Sequence, residues 1–256
     1  MAALRRMIAR RGLLALPALL ATGAAQAKTP PAAQPISRLD LKWWRERHEQ
    51  KLAELARVKP DLIWLGDSIT QNFEHDGEQG WAKFNTIWQR YYSQYRPINL
   101  GFSGDATCHL LWRQMHGELD GISPKAAIIL IGANNLGRLH WSAEDSVMGI
   151  QAVVSETQKR LPRTGILLLS VLPSARTPWA SETTIVINDR LRQIYAGGRV
   201  VFQDVTQEFT RGQVLDRTLY YDPLLSPPEP PLHPTSEGLR RLSVAIEPAL
   251  ARLMRS

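Results

Sequence analysis

A chain of 256 residues with 44% hydrophobic and 21% charged residues has the balance of one ordinary globular domain. Its net charge of +7 includes four arginines among the first 27 residues, and the +3 that remains, with no dense Lys/Arg run, argues against a nucleic-acid partner. A single cysteine, Cys108, excludes an internal disulfide framework, and no Cys/His cluster has zinc-ligand spacing.

Residues 1–27 have the make-up of an export signal. Arg5, Arg6, Arg10 and Arg11 come first, then "GLLALPALLATG", then "AQA" ending at Ala27. The apolar part, about a dozen residues, is too short to span a bilayer comfortably. "RRGLL" fits a twin-arginine signal, and a Sec signal that holds paired arginines is the alternative. Either predicts an exported chain, periplasmic or secreted, that starts near Lys28 and has no stable membrane insertion. "KTPPAAQP" then reads as a proline-rich tether over residues 28–38, ahead of one domain at 39–256.

"DLKWWRERHEQKLAELARVKP" follows as a helix closed by Pro60. Five short apolar runs come next: "DLIWLG" (61–66), "INLGF" (98–102), "AAIILIG" (126–132), "GILLLSVLP" (165–173) and "RVVFQDV" (199–205). Between them, residues 81–94, 106–119, 143–161 and 182–195 have helical spacing, and a last helix from about Thr235 to Met254 contains Pro248. Strands alternating with helices predict a parallel sheet covered on both faces. In such sheets, ligands gather beyond the carboxyl ends of the strands.

The ends of the strands carry pointed chemistry. The first ends in Gly66-Asp67-Ser68, the second in "NLGFSGDAT" with Gly101, Gly104 and Asp105, the third in "GANN" with Gly132, Asn134 and Asn135. "LHPTSEG" places His233 just before the final helix. A serine hydroxyl becomes a nucleophile only with a base in hydrogen-bond reach, and histidine titrates near neutrality. The oxyanion of acyl transfer needs donors already aimed at it, and the N–H groups of Ser68 and Gly104 and the Asn134 amide are candidates.

In order and spacing, "GDSIT", "NLGFSGDAT", "GANN" and "LHP" resemble the four sequence blocks of the SGNH (GDSL) hydrolases. Within that family, residues 99–135 are most similar to the catalytic subunits of platelet-activating-factor acetylhydrolases. The resemblance covers roughly residues 60–254. It implies a flavodoxin-like three-layer α/β/α sandwich with a five-stranded parallel sheet, and ester hydrolysis without metal or cofactor, often of short acyl groups. Ser68 would be nucleophile and oxyanion donor, Gly104 and Asn134 the other donors, and His233 the base. The family includes dimeric members, so a homodimer is among the expectations.

At one position the pattern departs. Where the family usually has an aspartate, three residues before the histidine, this chain has Pro230 within "YYDPLLSPPEPPLHP". Asp222 would serve if "PLLSPPEPP" loops out. Glu229, one residue early but longer, is a second candidate, and a backbone carbonyl or water orienting the imidazole is a third. The reading is a serine esterase acting on a short-acyl ester of a small molecule or glycan. A non-catalytic glycan-binding module and an O-acyltransferase are the alternatives.

Taken singly, the other polar residues have plainer readings. Asp67 and Asp105 are expected to cap their turns or bond within their loops, and Asn135 to be structural. His109 and His116 share a helix face but lack a third metal ligand. Cys108, Trp64 and Trp112 are expected in the core. Trp81 and Trp141 are candidates to line an acyl or sugar pocket, with surface packing the alternative, and "FEHDGEQG" (73–80) reads as an ordinary polar loop, with a place in the cleft rim the alternative.

Overall fold

The computed structural model describes residues 29–255. The five apolar runs form strands β1 (Leu62–Gly66), β2 (Pro97–Gly101), β3 (Ala126–Leu130), β4 (Gly165–Leu169) and β5 (Val200–Gln203). All pair in parallel in the order β2-β1-β3-β4-β5. Every residue of β1 and β3 is buried, which is why these strands are apolar throughout rather than alternating.

Eight α-helices accompany them among the described residues: α1 (Lys42–Val58), α2 (Ser68–Gln71), α3 (Phe84–Tyr92), α4 (Thr107–Arg113), α5 (Ala133–Gly137), α6 (Ala143–Arg160), α7 (Pro178–Ile194) and α8 (Ser236–Arg255). Successive strand residues point to opposite faces, so the sheet feeds two cores. Ile63, Leu65, Ile129 and Leu168 pack with Leu110 of α4, Val153 of α6 and Ile187 of α7. Leu62, Trp64, Ile128 and Leu167 pack with Trp88 of α3 and with Leu242 and Ile246 of α8. No helix among the described residues is long and apolar enough to cross a membrane.

Three local expectations change. Helix 106–119 is α-helical only to Arg113. Gln114–Glu118 then forms a wider turn in which Gly117 has φ of 106°, and the buried Glu118 carboxylate returns to the Arg113 guanidinium. The proline-rich segment is not a loose tether. Ala32 is fully buried, its carbonyl accepts from Thr107 Oγ1 at 2.8 Å, and Ile36 N–H donates to the Cys108 carbonyl at 3.1 Å. A small antiparallel pair, β6 (Thr210–Arg211) and β7 (Val214–Leu215), forms where no strand was expected. The export signal falls at residues 1–27, outside the described residues.

β1 leads to β2 on one side, and the chain then crosses to β3 on the other. The loops after these three strands therefore meet at the switch point of the sheet, where its carboxyl ends leave a crevice.

Candidate active site

Strand β1 ends at Gly66 and α2 begins two residues later. Asp67 is what turns the chain: its Oδ1 accepts from Ile69 N–H at 2.9 Å, capping α2 and leaving Ser68 at the first helical position. The turn is tight against β2. A Cβ built on Gly101 would fall 2.2 Å from Gln71 N, so only glycine lets the strand end there. Burial pushes the Asp67 carboxyl up to about 7, against the Ile69 N–H bond that favours its charged form.

His233 reaches this serine from 165 residues away. Ser68 Oγ lies 3.0 Å from His233 Nε2. On the other ring nitrogen, Nδ1–H donates to Asp222 Oδ1 at 2.6 Å. The second oxygen, Asp222 Oδ2, accepts from Leu232 N–H at 2.8 Å and from His233 N–H at 2.6 Å. Those are the first backbone donors after Pro230 and Pro231, which have none. The proline-rich stretch thus loops out and closes on Asp222. Burial would raise the Asp222 carboxyl, but the imidazole and the two amides hold it below the usual carboxylate range. Glu229 is not brought to the imidazole: its side chain is exposed, and its N–H donates to the Asp222 carbonyl at 3.0 Å. The Nδ1 position that a carbonyl or water would need is taken by Asp222.

Aromatic rings back the imidazole. Tyr221 stacks on His233 with centroids 5.4 Å apart and planes 13° from parallel, and Trp81 stacks on Tyr221 at 4.7 Å. The Tyr221 hydroxyl accepts from Asn72 Nδ2 at 3.1 Å. Trp81, a candidate for the pocket wall or for surface packing, is the second ring behind the imidazole.

The loop after β2 supplies Gly104, whose φ of 75° is open to glycine at little cost. From α5, the buried Asn134 points its amide to the same place: Nδ2 donates to the Asp105 carbonyl at 3.0 Å and stands 3.5 Å from Asp67 Oδ2. Ser68, Gly104, Asn134 and His233 together line one cleft of about 230 Å³, with Ser103, Gly137, Arg138, Arg176 and Leu232 as its remaining walls.

Residues 64–241 match the GDSL-like lipase/acylhydrolase family. The chain belongs to this family. It is 31% identical over 171 residues to the platelet-activating factor acetylhydrolase IB subunit alpha1 of Homo sapiens, covering 65% of this chain and 69% of that protein. Among solved structures it is similar to a GDSL-like lipase from Bacteroides thetaiotaomicron VPI-5482, with a TM-score of 0.64 at 19% identity over 81% of this chain and 97% of the other. It is also similar to a carbohydrate esterase family 3 protein from Talaromyces cellulolyticus, with a TM-score of 0.57 at 16% identity over 76% and 97% of the two chains. At these identities the structural likeness is one of fold: the five-stranded parallel sheet with helices on both faces. As a GDSL-like acylhydrolase, the protein is a carboxylic ester hydrolase.

Around the cleft of this GDSL-like hydrolase, the remaining candidates are mostly supports. The Asp105 carboxylate neither caps its turn nor bonds within its own loop. Its Oδ1 accepts from Trp44 Nε1 at 2.8 Å and Arg38 Nη1 at 2.9 Å, and its Oδ2 from Arg113 Nε at 2.9 Å. Arg113, fully buried, also donates to the carbonyls of Gly66 at 3.1 Å and Leu100 at 3.2 Å, tying together the ends of β1 and β2. Asn135 holds Thr107, accepting from its N–H at 3.0 Å and donating to its hydroxyl at 2.9 Å. His109 Nδ1 accepts from Ala106 N–H at 3.0 Å, and burial lowers its pKa to about 4. His116 stacks on Trp112 at 3.9 Å. Trp64 is buried and Trp112 half-buried. Cys108 is buried, and burial pushes its thiol up to about 12. Trp141 is not among the cleft walls.

Sequence reasoning missed Tyr221, Arg113, Arg138 and Arg176. Of these only Arg138 carries a local signal. It stands four residues after Asn134 and so on the same side of the short helix.

Proposed function

We propose that this hydrolase cleaves short-acyl esters through an acyl-enzyme formed on Ser68. His233 Nε2 takes the hydroxyl proton as Oγ attacks the ester carbonyl carbon. The carbonyl oxygen becomes an oxyanion and is met by the N–H groups of Ser68 and Gly104 and by Asn134 Nδ2–H. Asp222 keeps the proton on Nδ1 and stabilises the imidazolium. As the tetrahedral adduct collapses, the C–O bond to the alcohol breaks and His233 returns the proton to the departing oxygen. Water, deprotonated by the same imidazole, then cleaves the acyl-enzyme to the acid and frees Ser68.

The observation that carries this reading is the unbroken chain of contacts, 3.0 Å from Ser68 Oγ to His233 Nε2 and 2.6 Å from Nδ1 to Asp222, opening on the cleft that Gly104 and Asn134 also line. A cleft of about 230 Å³ favours an acetyl-sized acyl group over a long chain. The name of the Talaromyces carbohydrate esterase supports an acylated sugar as the alcohol partner, and so does the export signal expected at residues 1–27.

The test is a series of p-nitrophenyl esters of increasing acyl length with the native chain and Ser68→Ala. Acetate should give the highest kcat/KM, and Ser68→Ala should lower kcat at least about a thousandfold. Turnover that survives Ser68→Ala would remove the mechanism. A rate that climbs with chain length would remove the short-acyl assignment alone.

A further inference from the structure

Two groups on the walls of the cleft take no part in the acyl transfer. Arg138 follows α5, Arg176 stands in the loop between β4 and α7, and both share the cleft with Ser68 and His233. Each guanidinium lies across a glycine. A Cβ built on Gly104 would fall 2.2 Å from Arg138 Nη1, and one built on Gly137 would fall 2.8 Å from Arg176 Nη1. Arg138 is therefore placed against the loop that carries the Gly104 oxyanion donor.

Neither side chain has a hydrogen-bond or ion-pair partner among the described residues, and no aspartate or glutamate is among the cleft's lining residues. The contrast with Arg38 is direct. Its Nη1 lies 3.4 Å from the same point over Gly104, but its charge is met by Asp105 at 2.9 Å. Of the acids beneath the cleft, Asp222 is engaged by His233 and Asp105 by Arg38 and Arg113, while Asp67 accepts from Ile69 N–H and Asn134 and is held toward its neutral form by burial. Two like charges facing one small cleft, with no carboxylate between them, make a field that draws in anions. The planar fork of a guanidinium matches the two oxygens of a carboxylate or phosphate.

We propose that Arg138 and Arg176 form an anion subsite beside the scissile ester, so that the preferred substrates are acyl esters bearing a carboxylate or phosphate close to the bond cleaved. The subsite rests on the esterase reading of the same cleft and narrows its substrate class. Asn134 and Arg138 then act from one short helix, the amide on the developing oxyanion and the guanidinium on the substrate's fixed charge.

Binding to Ser68→Ala separates recognition from catalysis. 4-Acetoxybenzoate and its neutral isostere 4-acetoxybenzamide differ in one charge, and 4-acetoxyphenyl phosphate offers the other anion. By calorimetry, at least one anionic ester should bind at least about tenfold more tightly than the amide, and the preference should shrink with added salt. Adding Arg138→Gln or Arg176→Gln should each remove most of the preference, whereas Arg138→Lys, which keeps the charge, should retain part of it. Whichever anion binds better identifies the substrate's charged group. Equal binding of all three esters, or a preference that survives both glutamine substitutions, would overturn the subsite. Turnover by the native chain reports separately on the chemistry. Hydrolysis without charge discrimination leaves the esterase and removes the subsite; anion-selective binding with no hydrolysis of any ester does the reverse.

Discussion

Asp222 sets the state of the imidazole through three hydrogen bonds, one from the ring and two from the backbone that carries it. An asparagine there would keep an acceptor for the amides but present an N–H or a weaker acceptor to Nδ1, favouring the wrong tautomer. Asp222→Asn should lower kcat by about two to four orders of magnitude, while Glu229→Gln, at an exposed position away from the ring, should leave the rate within about twofold. Steady-state kinetics on p-nitrophenyl acetate reads both, and a large loss with Glu229→Gln would contradict the geometry. The partner of the imidazole was the least legible part of the site because the usual spacing is broken by Pro230, and spacing alone left Asp222, Glu229 and a backbone carbonyl or water open. Folding resolves them. Prolines 230 and 231 offer no N–H, so the backbone donors that reach the Asp222 carboxylate after them are those of Leu232 and His233.

At the scale of elements, the site is three strand ends and one loop. Each strand ends where a glycine lets the backbone turn or lets a neighbour approach, and such punctuation is visible in sequence. The loop after β2 depends on it most. Ala at position 104 would be held at a φ of 75°, at a cost of roughly 1–2 kcal/mol, with its methyl directed at the Arg138 guanidinium. Gly104→Ala should therefore lower both the melting temperature and kcat; unchanged values of both would show that a side chain is tolerated at this φ without moving the loop. Strand positions followed directly from runs of Ile, Leu and Val. The early end of α4 did not, because the helical spacing continues past Arg113. It is the tertiary pull of Glu118 back to that guanidinium, with Gly117 at positive φ, that opens the turn. The proline-rich segment likewise looked like a tether by composition, while its docking depends on acceptors and donors in α4 some 75 residues later.

Across the whole molecule, two buried carboxyls pull the pH dependence of stability in opposite directions. The Asp67 carboxyl is raised from 3.8 to about 7 by burial. Between those values the folded chain keeps a proton that the unfolded chain has released, so this group makes stability fall as pH rises across the window. Asp222 is held below 3.8, so its contribution is present above that pH and is lost as pH falls below it. Asp67→Asn keeps the acceptor for Ile69 and removes the buried charge. Its melting temperature relative to the native chain should therefore climb by several degrees from pH 4 to pH 8 and level off above about 7. Thermal unfolding across that range tests it; a difference independent of pH would place the titration elsewhere.

By itself, the amino-acid sequence determined the alternation of strands and helices, the parallel sheet, and the positions of the serine, glycine, asparagine and histidine at its carboxyl edge. These are local matters: side-chain periodicity, glycine punctuation and residue chemistry act within a few positions of one another. Only the tertiary structure decided that Asp222 faces the imidazole, that Tyr221 and Trp81 stack behind it, that Arg113 ties two strand ends, and that Arg138 and Arg176 share the cleft without a counter-charge. Each of those depends on distance between residues far apart in the chain, and both electrostatic and hydrogen-bond energies are set by that distance, which no spacing along the sequence encodes.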